Sequence, residues 1–108
     1  MSELTLREAI KREQSVRTAR ADVKLLDAKF RGTTSTRERA RAYHRGERAR
    51  RHLIGALLRR MLPPTAATDT FADAVDAALT EARFDIPVLD ALAAALDTIK
   101  EEESGGDS

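Results

Sequence analysis

The apolar pattern predicts an all-α protein: a small helical bundle in which two long helices form a hairpin and a shorter C-terminal helical hairpin joins it. Three observations carry this expectation. Apolar side chains recur at spacings of three and four along most of the chain and alternate nowhere for long, which is the period of a helix. Breaks rich in Gly, Pro, Ser and Thr fall at Gly32–Thr36, Pro63–Thr68 and Asp85–Pro87, leaving four segments of helical length. The apolar residues are almost all aliphatic, with 4 % aromatics and no Trp, a composition suited to closely packed helices.

The first helix is expected from about Glu3 to Phe30. Val16, Ala19, Val23, Leu26 and Phe30 follow a 3-4-3-4 spacing, the seam of a coiled coil or a long hairpin. Glu8 with Arg12, Glu13 with Arg17 and Asp27 with Arg31 add i,i+4 pairs with the acid on the favourable side. Gly32 is placed to end the helix, because glycine accepts the left-handed conformation that follows a helix C-terminus. Ser35 and Glu38 have capping-box spacing and start a second helix. That helix runs to Leu62, where Pro63 and Pro64 stop it. Gly46 and Gly55 each cost about 1 kcal/mol relative to Ala inside a helix, so a kink or break near His44–Gly46 is an alternative.

Residues 63–68 read as a linker. Phe71, Val75, Ala78, Leu79 and Ala82 mark a third helix capped by Thr68 or Asp69, with Asp73 and Asp76 on its outer side. Pro87 suits the first turn of a fourth helix, where its missing N–H is no loss. The stripe of that helix is Val88, Leu92, Ala95, Leu96 and Ile99, with Asp90 and Asp97 opposite. The chain thus divides into a basic long-helix hairpin (1–62), an acidic helical hairpin (63–100) and an acidic tail (101–108) expected to be disordered.

Charge is split between these parts. Through Leu62 there are 17 Lys and Arg against 7 acids, leaving +10, whereas from Pro63 onward 2 bases face 11 acids, leaving −9. Such asymmetry points to a nucleic-acid partner, to a protein partner of opposite charge, or to mutual attraction of the two halves. With no cysteine, disulfides and thiolate metal sites are excluded, and a cytoplasmic location is expected. The first ten residues lack the apolar core of a signal peptide, and the longest apolar run, Leu53–Leu58, is far short of a membrane span.

The second helix is the most informative. At about 100° per residue, Arg37, Arg41, Arg45, Arg48, Arg51 and Arg59 share one broad sector, with His44 and His52 among them. Ala42, Tyr43, Gly46, Leu53, Ile54, Leu57 and Met61 lie on the other side. A row of guanidiniums opposite an apolar face suits phosphate contact; an ordinary solvated face is the bland alternative. Arg39 and Arg50 fall among the apolar positions, and for Arg50 an interhelix pair with a first-helix acid such as Glu13 or Asp22 is expected.

No catalytic motif is readable: there is no Gly-rich phosphate loop, nucleophile elbow or paired-acid motif, and the two histidines at i and i+8 lack metal-ligand spacing. A non-enzymatic protein without cofactor is therefore expected. Arg48–Arg60, reading RARRHLIGALLRR after a long basic helix, resembles a segment of small mobilisation proteins of the TraD type, accessories of conjugative DNA transfer. That resemblance covers only this segment and implies engagement of nucleic acid. The leading expectation is an accessory or regulatory protein that binds nucleic acid or a nucleoprotein complex through the second helix. The alternatives are an adaptor or inhibitor presenting Asp73, Asp76, Asp90 and Asp97 to a basic protein, or a structural assembly subunit. A homo-oligomer is expected as well, because two long helices alone make a thin core.

Overall fold

The computed structural model describes residues 3–106, with side chains placed for residues 6–99. Four helices follow in order: α1 Glu3–Gly32, α2 Thr36–Met61, α3 Ala66–Ala82 and α4 Ile86–Gly106. No strand occurs among the described residues, and no helix is long and apolar enough to cross a membrane.

The bundle is organised around α2. Each of the other three helices packs on it, while among the described residues α1, α3 and α4 have no close backbone contact with one another. Side-chain pairs set the directions. Arg12 and Glu13 of α1 meet Arg59 and Arg60, whereas Asp27 meets Arg50, so α1 is antiparallel to α2. Asp69 and Asp73 meet Arg59 and Asp76 meets Arg51, which makes α3 antiparallel as well. Asp90 with Arg50 and Asp97 with Arg60 run the other way, so α4 is parallel to α2. One core joins all four helices: Val16 and Ala19 of α1, Leu53, Ile54 and Leu57 of α2, Leu79 of α3, and Leu89 and Ala93 of α4. The α1 seam is therefore covered within the chain, by α2.

Several local details depart from the sequence-based expectations. Gly32 is not left-handed; the end of α1 is tied by Thr33, whose hydroxyl donates to the Lys29 carbonyl at 2.7 Å. Ser35 caps α2 by accepting from the Glu38 amide at 3.5 Å, and α2 is a single helix through Gly46 with no break. The cap of α3 is Thr65 rather than Thr68 or Asp69. Thr65 accepts from the Thr68 amide, while Thr68 is buried and donates to the Pro63 carbonyl at 2.6 Å. Arg83 ends α3 in the left-handed conformation at φ 55°. Asp85 caps α4, and that helix continues through 101–106, where a disordered tail was expected; Asp107 and Ser108 lie outside the described residues.

The largest correction concerns rotation. Ala72 and Leu79 face inward on α3, and Leu89 and Ala93 on α4, while Phe71, Ala78, Ala82, Val88, Leu92, Ala95 and Ile99 are exposed. Of the expected stripes, Leu79 is buried and Val75 and Leu96 pack against the core, while the remaining members lie on the outward side. This orientation brings their aspartates onto the arginines of α2, so ion pairing competes with burial and sets the angle.

Candidate nucleic-acid interface

The arginines of α2 fall into two groups. The first is neutralised inside the molecule. Arg50, whose side chain is only 5 % exposed, donates from Nε to Asp90 Oδ1 at 2.7 Å and from Nη2 to both oxygens of Asp27 at 2.9 and 3.0 Å. Its Nη1 donates to the Gly46 carbonyl at 3.1 Å. Burial works against the charged guanidinium, yet the hydrogen bonds and charges of Asp90 and Asp27 outweigh it and hold Arg50 above its ordinary pKa. The expected interhelix pair is present, with Asp27 in place of Glu13 or Asp22. Glu13 instead accepts from Arg60, which also donates to Asp97 at 2.9 Å; Asp97 binds Arg20 of α1 as well. Arg60 stands out in the structure, with a 10 % exposed side chain, though nothing in its neighbours distinguished it from a surface arginine.

Two members of the sequence-derived row belong to this neutralised group. Arg59 donates to Asp69 and Asp73, each at 3.0 Å, and Arg51 lies 3.9 Å from Asp76. The same contacts account for the acids offered above as a partner surface: Asp73, Asp76, Asp90 and Asp97 each sit in an ion pair with this chain's own arginines.

The second group is Arg37, Arg41, Arg45 and Arg48. All four are exposed, and among the described residues no acid lies within ion-pair distance of them. Their positions follow from the packing. Thr36–Arg41 are exposed on every side, and farther along α2, where α3 and α4 pack, one sector stays uncovered; the four residues recur along it at i,i+4, i,i+4 and i,i+3. His44 is exposed beside them and paired with Glu47 at 3.0 Å. Arg39 stands apart, its guanidinium 4.8 Å from the centre of the Phe30 ring, which itself packs against Tyr43.

The uncovered sector opens onto α1. A groove of about 1340 Å³ runs between α1, α2 and the start of α3; Arg45, Arg48 and His52 line its α2 side, Lys11, Glu8 and Asp22 its α1 side, Asp69 its α3 end, and Ala19, Ala49 and Ala56 part of its floor. A smaller cleft of about 380 Å³ near the α1–α2 turn brings Lys29 beside Arg41 and Arg45. Lys11 and Lys29 extend the basic surface onto α1. The sequence carried a signal for them, since both lie off the Val16–Phe30 seam, but which flank of α1 borders the open side of α2 depends on the interhelix angle. No group of His, Asp and Glu fit to hold a metal occurs among the described residues.

Comparison with family models, curated proteins and solved structures finds no match, so the local likeness of Arg48–Arg60 to mobilisation proteins gains no support from a family.

Proposed function

We propose that this chain is a non-enzymatic accessory or regulatory protein that binds nucleic acid, or a nucleoprotein complex, through the phosphate backbone. Arg37, Arg41, Arg45 and Arg48 make the contacts, flanked by Lys29 and Lys11. One observation supports the reading: the fold pairs Arg50, Arg51, Arg59 and Arg60 with its own aspartates and glutamate, while the row of four guanidiniums has no ion-pair partner among the described residues. Like charges at i,i+4 destabilise a helix by a few tenths of a kcal/mol each, so the row weakens the bundle slightly and calls for a role outside it. Guanidiniums suit phosphate oxygens because their planar donors bind two at once. Nothing in the row reads base edges, so sequence preference is weak.

The adaptor reading has less to stand on, because each of its four aspartates lies within ion-pair distance of an arginine of this chain. Fluorescence anisotropy with labelled single- and double-stranded oligonucleotides tests the proposal. Four phosphate contacts give a slope of log K against log salt of about −3 to −4, and replacing Arg41, Arg45 and Arg48 by Ala reduces its magnitude by about 3. Absence of binding at micromolar protein in low salt overturns the nucleic-acid reading.

A further inference from the structure

We propose that the apolar face shared by α3 and α4 is a self-association surface whose occupant is the same face of a second copy of this chain. The ion pairs define where this face lies. On α4, Asp90 and Asp97 reach Arg50, Arg60 and Arg20, so its acidic edge is turned toward α1. On α3, Asp69, Asp73 and Asp76 reach Arg59 and Arg51, so its acidic edge is turned toward the open arginine side of α2. The opposite edges of α3 and α4 therefore look toward each other across α2, and the two helices do not close on one another.

Those edges are the apolar stripes that the core does not use. Phe71 is 50 % exposed on α3; Val88, Leu92 and Ile99 are 40, 37 and 45 % exposed on α4, and Phe84 between them is 39 % exposed. Val75 and Leu96, half-buried against the core, lie along the inner margins of the stripes. Together the exposed side chains present roughly 400 Å² of apolar surface, within the range of the largest patch on a typical monomer, where such a patch often has a function. Laid on itself with its flanking alanines, the face removes about 1,000 Å² in total, the threshold for a specific interface.

Charge selects the occupant. A two-fold contact sets a patch against the same patch of the second copy, so a patch of one charge sign repels itself. The stripes Phe71, Val75, Ala78, Ala82 and Val88, Leu92, Ala95, Ile99 carry no charge, and Asp69, Asp73, Asp76, Asp90 and Asp97 are turned toward arginines of the same chain. A basic partner would need those carboxylates free.

Sedimentation velocity on the full chain tests the proposal. The unmodified protein is expected to be a dimer at tens of micromolar, with a melting temperature that rises with concentration. Phe71→Glu with Leu92→Glu changes two exposed positions and is expected to give a helical monomer. Because the chain has no cysteine, Ala95→Cys provides an independent readout that leaves the large apolar side chains in place: it should form a disulfide-linked dimer under mild oxidation faster than Arg41→Cys on the arginine row. A monomer at high concentration, a dimer that survives both glutamates, equal cross-linking of the two cysteine variants, or flotation of a monomer with anionic vesicles would each overturn it. These readouts need no nucleic acid, so their failure is separable from failure of the proposed function.

Discussion

The paired and unpaired arginines of α2 put the same residue type to opposite uses. Arg50 and Arg60 are held by acids from α1 and α4, and Arg51 and Arg59 by acids from α3, while Arg37, Arg41, Arg45 and Arg48, on the same helix, meet none among the described residues. Composition does not distinguish the groups. What separates them is which neighbouring helix passes over each residue and whether that helix brings a carboxylate. Arginines of the first group are part of the folded structure, and those of the second are available to a partner. Substitutions in the two groups should therefore differ in sign as well as in size.

The largest effect is expected at Arg50. Removing one member of a buried, hydrogen-bonded charge cluster costs about 3–5 kcal/mol because the remaining charges lose their partners; Asp27 and Asp90 are partly solvated, which places Arg50→Ala near the lower end. Arg50→Met, which fills the volume without needing a partner, should recover much of the loss. Urea unfolding measures both. If Arg50→Ala is within about 1 kcal/mol of the parent, the distinction between the two groups fails at its strongest point.

The two interior glycines of α2 sharpen the same comparison. A Cβ on Gly46 would stand 3.1 Å from Arg50 Nη1, which is pinned on three sides, so Gly46→Ala must displace the buried cluster. Its helix-propensity gain of about 1 kcal/mol is outweighed by overpacking of about 1–3 kcal/mol, and a net loss is expected. On Gly55 the Cβ would lie 3.4 Å from Arg59 Nη1, the far end of a side chain one-third exposed and able to shift. Gly55→Ala should therefore gain up to about 1 kcal/mol. Thermal unfolding of the pair reads the difference; equal shifts would mean that Arg50 is no more constrained than Arg59.

Helix number and type were legible because they depend on local period and on breakers such as Pro63 and the Ser35–Glu38 cap. The row Arg37, Arg41, Arg45 and Arg48 was legible for the same reason, since residues on one helix keep their relative angles in any fold. The fates of Arg51 and Arg59 were not, because both lie in the same sector and only the path of α3 decides that Asp69, Asp73 and Asp76 reach them. The rotation of α3 and α4 was legible only in part, for a related reason. Hydrophobic period assigns Leu79 correctly and places Val75 and Leu96 at the core margin, but it also assigns Phe71, Val88 and Leu92 to the core, whereas the fold uses the smaller Ala72 and Ala93 with Leu89 and turns the aspartates onto arginines of α2. A pair such as Arg50 with Asp27 and Asp90 joins residues far apart in the chain, and spacing within a single helix carries no trace of it.

The smallest effect should have the opposite sign. Arg41 has Arg37 and Arg45 as i,i+4 neighbours and no ion-pair partner among the described residues. Like charges at this spacing cost about 0.2–0.5 kcal/mol per pair at low ionic strength, and Ala is a slightly better helix former than Arg. Arg41→Ala is therefore expected to raise stability by about 0.5 kcal/mol, an advantage that shrinks as salt screens the repulsion. The same change should remove about one unit from the salt slope of oligonucleotide binding. Stability rising while binding weakens is the signature of a side chain kept for a partner and not for the fold. If Arg41→Ala instead loses stability by as much as 1 kcal/mol, the unpaired row has a structural role of its own, and the contrast between the two groups of α2 arginines no longer separates folding from function.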